Sequence, residues 1–358
     1  MEKPEVMTPL EELVRTNSNN AERDWFGKFP CQKLCDFKVE MPILCNSSRN
    51  IRNVMSRIVL PHVFFANLAN HFPTCFARVV CRGPQQLREW WSATENDPQV
   101  TQNEDLLAVP DYQSCMVPLV FHGDEVPTVG LQKSWLKLID IISWSSMVSG
   151  VSMFDINSIF VIWFVWTESK VITGQRDGFT MEIFWKLISW SFECLFAGKW
   201  PERRWDLKPW AADSIDAIRA GTNLCTAHPF RGIIWKIRAD LDYYGKQLDL
   251  PKHNNVTKPC TWCPAGTRAP KISDNKPSAA WIKMIFTTVQ LLGALERINP
   301  LLLISGVVSQ TLAADYMHIK HMGMDGYFCA SVMWLLCYQV LDGTPPDYSQ
   351  WKPLYVKF

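Results

Sequence analysis

Three runs of strand composition follow one another between Met116 and Trp166, with no long helical spacer between them. The first, Met116 to Phe121, leads into His122-Gly123-Asp124. The second spans Trp135 to Met147 and the third Ile159 to Trp166. A parallel partner needs a long crossover, whereas short connections join antiparallel strands. The three runs therefore predict an antiparallel meander. Pro118 lacks the N–H that a central ladder uses, so it fits the start of a strand or an edge position.

A helix and a fourth strand are predicted next. Ile183, Phe184, Leu187, Ile188, Trp190, Phe192 and Leu195 recur at helical spacing within Thr180 to Ala197, and Gly198 suits the position just past the helix end. A Trp- and Pro-rich loop, Trp200 to Trp210, and a short helix, Asp213 to Ala220, come before the run Gly232 to Ile237. That run is rich in β-branched and aromatic residues and reads as a buried strand. At Asp240 the period changes: Leu241, Tyr244 and Leu248 take up helical spacing, and Pro251 stops it. The order strand, strand, strand, helix, strand, helix is that of the ribonuclease H-like fold. The fold class expected is α/β, a ribonuclease H-like mixed sheet with flanking helices. In that fold the first and fourth strands are neighbours, so acids at their ends sit side by side.

The chain has 358 residues, more than one average core needs. Residues 1–50 are polar and mixed, with Asn17, Ser18, Asn19 and Asn20 together, and predict a poorly ordered or extended lead-in. Residues 51–110 predict a helical region, from the stripe Ile58, Leu60, Val63, Phe64 and Leu68 and the segment Gln85 to Trp91, followed by a linker over Glu95 to Pro110. Residues 111–250 form the predicted core. Residues 251–312 are an insertion carrying the Cys260-Thr261-Trp262-Cys263 knuckle, with a helix expected over Trp281 to Leu295 and Leu301 to Leu312 open between strand and helix. Residues 313–358 supply a final helix, Phe328 to Leu341, and a tail.

The formal net charge is +1, so the strongly basic balance typical of nucleic-acid binders is absent, which leaves room only for a local basic face. Arg203, Arg204, Lys208, Arg231, Lys236 and Arg238 are a loose basic set around the proposed site that could meet phosphates or be a solvated face. The 12 cysteines are scattered and do not suggest a disulfide framework, which points to a reducing, intracellular compartment. The longest apolar run, Ile156 to Thr167, is too short to span a bilayer, and the acidic N-terminus is no signal peptide, so no membrane partner is expected.

Two acids at strand ends are the candidate catalytic residues, Asp124 and Asp240. Paired carboxylates hold hard divalent cations such as Mg2+ or Mn2+. Two such cations activate an attacking oxygen and stabilise a leaving one. Each acid also has a plainer reading: Asp124 as a turn residue, Asp240 as the cap of the helix after it. Asp242 is an alternative to Asp240, and His122 is either a proton shuttle or a satisfied histidine at a strand end. Cys260 and Cys263 have the gap of half a zinc site, and His318 with His321 could complete a closed, structural Cys2His2 tetrahedron; the alternative is reduced thiols at a turn.

Taken together, His122-Gly123-Asp124-Glu125-Val126-Pro127, the strand-end Asp240, Cys260-Thr261-Trp262-Cys263 and Asp315-Tyr316-Met317-His318 resemble, in this order, the motifs of DDE transposases of the CACTA-like group. The wording is similar to transposon-derived proteins of dinoflagellate genomes, and the resemblance covers about residues 110 to 342. It implies DNA strand cleavage and transfer by two-metal chemistry, DNA as partner, a possible homo-oligomer and a nuclear location. It also implies a third acid on a helix after the histidine motif. Asp342 stands at a suitable distance, but Gly343 and Pro345 put it at a helix end, a departure from the family pattern. The alternative implied is a decayed or domesticated relative that binds DNA or protein without catalysis.

Overall fold

The computed structural model describes residues 36–45, 50–127, 138–151, 158–171, 179–252, 255, 257–271, 273–274, 276–315 and 325–335. The chain divides into two compact units, residues 1–313 and 314–358. The first is mixed α/β, with a five-stranded mixed sheet flanked by helices. Of the second, the helix Gly326–Leu335 is described.

An antiparallel hairpin comes first, β1 (Asp36–Cys45) with β2 (Asn50–Val59). Here the expectation of a helix from residue 51 fails. Ile51, Val54 and Ile58 sit at helical spacing, yet they belong to a strand whose Ile51 and Val54 are exposed and whose Ile58 is buried. The pairing partner, not the local period, decides the conformation. Helices begin only at α1 (Pro61–His71), followed by α2 (Pro73–Val79) and α3 (Pro84–Ala93), each with proline in its first turn. The stretch expected to be a linker folds into two one-turn helices, α4 (Pro98–Thr101) and α5 (Glu104–Leu107), capped by Asp97 and Asn103. A further turn, α6 (Tyr112–Cys115), leads into the sheet.

The sheet is built from β3 (Met116–Pro127), β4 (Leu138–Ser146), β5 (Phe160–Trp166), β6 (Arg231–Ala239) and β7 (Leu312–Ala314), in the spatial order β5-β4-β3-β6-β7. β3, β4 and β5 form the antiparallel meander, and β6 pairs parallel to β3. Pro118 lies near the start of β3, one residue before the β4 ladder opens at Leu119 and Ser146, so its missing N–H costs that ladder nothing. The crossover to β6 runs through α7 (Phe179–Ala197), which ends at Gly198 with φ +67°, and then the short α8 (Ile215–Arg219). After β6 comes α9 (Leu241–Gln247). The segment expected as one helix over Trp281 to Leu295 is a 3₁₀ turn, Ala280–Lys283, and then α10 (Thr288–Ala294). Leu301 to Leu312 resolves into 3₁₀ turns that lead to β7.

Each face of the sheet has its own cover. Phe121, Ile142, Trp163 and Val165 are buried on one face. Phe184, Trp185 and Phe192 of α7 meet it: Trp163 stacks on Phe184 at 5.0 Å, and Phe121 lies 5.9 Å from Trp185. On the other face the helices α3 and α4 cover the start of the central strands. A bulge between Leu119 and Val120 leaves Trp235 of β6 without a ladder partner, and it packs edge-on against Trp90 and Trp91. Trp91 Nε1 donates to the Met116 carbonyl, and Gln99 Nε2 donates to that of Trp235. Further across that second face, along β5, Val161, Phe164 and Trp166 are exposed.

Candidate functional site

The parallel register carries the β3 pair partners Phe121 and His122 onto Ile237 and Arg238 of β6. Asp124 lies two positions beyond His122, and Asp240 two beyond Arg238. Two residues is one repeat of the pleat, so both acids fall on the His122 and Arg238 face, Asp240 just past the end of β6 and Asp124 within β3, which was expected to end near it but runs on to Pro127 in its ladder with β4. Asp240 keeps extended dihedrals (φ −71°, ψ 167°) and so continues the alternation of β6. It is also the N-cap of α9: one carboxylate oxygen accepts the Tyr243 backbone N–H at 2.5 Å. The cap occupies Oδ1, and the carboxylate has a second oxygen to offer. Both acids are half-buried.

Behind the acids, on the same face, His122 and Arg238 are direct register partners. A histidine and an arginine thus stand one pleat repeat back from the two acids. The rest of the proposed basic set does not gather there. Arg231 opens β6 at its opposite end. Arg204 and Lys208 pair with Asp206 within the loop after α7. Lys236 donates to Gln99 Oε1 and the Gln310 carbonyl, so it is a structural tie between β6 and the chain around it.

The opposite face, beneath the acids, holds a charge cluster that sequence reading missed. Glu125 and Asp140 are cross-strand partners on β3 and β4. Lys170 Nζ lies 2.7 Å from Asp140 Oδ2 and 3.4 Å from Glu125 Oε1, with Lys170 and Asp140 both buried. Burial raises the Asp140 carboxyl, and the Lys170 ammonium pulls it back down. Tyr243 closes the cluster from α9. Its ring lies so near Gly123 that a Cβ there would overlap it, which explains the glycine at position 123. Burial pushes the Tyr243 hydroxyl well above its usual range, and the carboxylates of Asp140, Glu125 and Asp124 add to the rise. Neither Tyr243 Oη nor Asp140 Oδ1 has a hydrogen-bond partner of normal geometry, although each lies near enough to shift the other's titration. The available signal was Asp140 itself, a lone acid in the apolar run Leu138 to Trp144. Such a residue in a buried strand requires a cation.

The cysteine pair lies between α9 and α10. Cys260 and Cys263 are free thiols with sulfurs 3.2 Å apart. Burial, together with the neighbouring Cys260 sulfur, raises Cys263 to about 11, so without a metal it is protonated. Trp262 between them donates to the Leu312 carbonyl at 3.1 Å, which fixes the Cys260–Cys263 turn beside β7. A tetrahedral zinc with Zn–S bonds of about 2.3 Å sets two sulfurs about 3.8 Å apart, so these stand closer together than a zinc site would hold them. His318, His321 and Asp342 lie outside the described residues. Among the described residues, no three His, Cys, Asp or Glu side chains are grouped to hold a metal ion. Nor is any described helix long and apolar enough to cross a membrane.

No protein-family model matches the chain, and no curated protein or solved structure matches it significantly.

Proposed function

We propose that this chain is a metal-dependent DNA-cleaving and strand-transferring protein built on a ribonuclease H-like core, with Asp124 and Asp240 as its cation ligands. The observation that carries the reading is the strand order β5-β4-β3-β6-β7 with β6 parallel to β3. Numbered along the sheet's own strands it is 3-2-1-4-5, the ribonuclease H order, in which the first and fourth strands are neighbours and acids carried two residues past His122 and Arg238 would face each other. Oxygen donors from adjacent strands suit a hard divalent cation such as Mg2+ or Mn2+, which when bound supplies charge neutralisation at a phosphate under attack.

The chain's own residues have separate tasks in this reading. Asp124 and Asp240 hold the cation side of the site, and the α9 cap fixes the Asp240 rotamer. The Lys170, Asp140 and Glu125 cluster anchors the end of β3 from below, so Asp124 is presented on a strand that cannot shift register. Water, and then a DNA 3′-hydroxyl, would be the nucleophiles at phosphorus. Nicking of a supercoiled plasmid in Mg2+ or Mn2+ tests the proposal. Asp124→Ala and Asp240→Ala should each abolish nicking, and activity that survives both removes these residues from the mechanism.

The capping bond at Asp240 favours a second reading, a transposon-derived chain that binds DNA or protein without cutting it. Mn2+ titration separates the two. The enzyme binds Mn2+ in a manner lost in Asp124→Asn; the non-cutting chain shows no such difference.

A further inference from the structure

The sheet register lays out more of the acid-bearing face than the acids alone. Across the strands, Asp124 pairs with Ile141 and Ile141 with Phe164, and extending the β3–β6 register two residues past His122 and Arg238 sets Asp240 at the end of that row. The row behind runs Arg238, His122, Ser143 and Val161, and the row ahead includes Val126, Ile139 and Trp166. α7 covers the other face, and here Phe164 is 64% exposed and Trp166 42%. The Phe164 ring is thus held out to solvent in the same row as the acid pair, with the partly exposed Trp166 in the next row. Strand spacing puts Phe164 about 10 Å from Asp124, within reach of the base of a nucleotide adjoining a phosphate at the acids.

We propose that this half of the sheet face is a platform for an unpaired polynucleotide strand. Arg238, whose guanidinium rests on Met147 Sδ at 3.9 Å, and His122 would meet phosphate oxygens of the strand as it runs back from the acids, and Phe164 and Trp166 would stack on the neighbouring bases. The platform rests on the nuclease reading for the acids' role and adds to it the class of substrate, a single strand or a frayed end. The side-chain pattern matches that occupant: an arginine and a histidine for phosphate in the row behind the acids, and uncharged aromatic faces farther out, where only bases would lie. Base stacking on an aromatic ring is sequence-tolerant and demands bases that are not paired. A duplex, whose bases are already stacked, offers those rings little.

The test is fluorescence anisotropy with labelled oligothymidylate, the same strand paired with oligodeoxyadenylate, and oligouridylate, each in Ca2+. The full chain should bind the single strands more tightly than the duplex. Phe164→Ser with Trp166→Ser should weaken single-strand binding by about tenfold. Arg238→Gln should weaken binding to all three and flatten its dependence on salt. The aromatic dependence should appear in whichever single strand, thymidylate or uridylate, binds more tightly. Unchanged single-strand affinity in the double variant overturns the platform, as does equal affinity for duplex. A third overturning result is a change in sedimenting mass on Phe164→Ser with no change in oligonucleotide affinity, since the rings would then be covered by a second copy of the chain. None of these readouts depends on nicking, so a chain whose nicking ignores Asp124→Ala fails the nuclease reading while the platform stands or falls on its own data.

Discussion

His62 shows how burial alone sets a residue's behaviour. It is fully buried on α1, its Nδ1 is 2.7 Å from Ser191 Oγ, and Trp190 and Trp200 meet its ring edge-on. Burial, with the Arg219 cation as a lesser cause, lowers it from its ordinary 6.5 to about 3. The folded state therefore binds the proton less readily than the unfolded state. Its contribution is complete above pH 6.5 and is lost as pH falls toward 3. Linkage makes the loss about 2.5 kcal/mol between about pH 7 and about pH 4.5. Urea unfolding at those two values should show it, and His62→Gln should flatten the difference. Lys170 is the other residue whose environment dictates its effect. Lys170→Met leaves Asp140 buried without its cation and should cost about 3–5 kcal/mol in the same assay. Adding Asp140→Leu should recover most of that, because the uncompensated charge is gone.

At the scale of elements, the turn from β6 into α9 carries two duties on one side chain. Asp240 caps the helix and stands in line with Asp124. Asp240→Ala should lose about 1 kcal/mol of stability with the cap, whereas Asp240→Ser should keep most of it. Both should lose Mn2+ binding if the ligand role is right, so the serine variant isolates that role from folding. Thermal melts with and without Mn2+ would read both quantities. The β3 and α9 junction is equally specific. Gly123→Ala puts a methyl into the Tyr243 ring, and overpacking of this kind costs about 1–3 kcal/mol. Tyr243→Ala in the same chain should relieve the clash, though it opens a cavity of its own. Elements were legible from sequence where their period was local. The meander, α7 with its closing Gly198 and the change of period at Asp240 all follow from spacing within a single segment. The β1 and β2 hairpin was not legible. Its two strands pair over their whole length, but half-exposed strands mix apolar and polar positions without clean alternation.

For the whole molecule, the long crossover through α7 and α8 brings β6 beside β3 and joins Asp124 and Asp240, more than a hundred positions apart in the chain, at one end of one sheet. Order along the chain, strand composition, and acids placed where runs end were already written in the residues. They are properties of segments, and local sterics and hydrophobic period govern them. Four further features were settled only by three-dimensional packing. They are the facing of Lys170 with Asp140, the contact of Tyr243 with Gly123, the row joining Asp124 to Phe164, and the strand at residues 50–59. Each depends on which partner a segment meets across the sheet, and a window of neighbouring residues holds no information about a partner that the chain reaches only by folding back on itself.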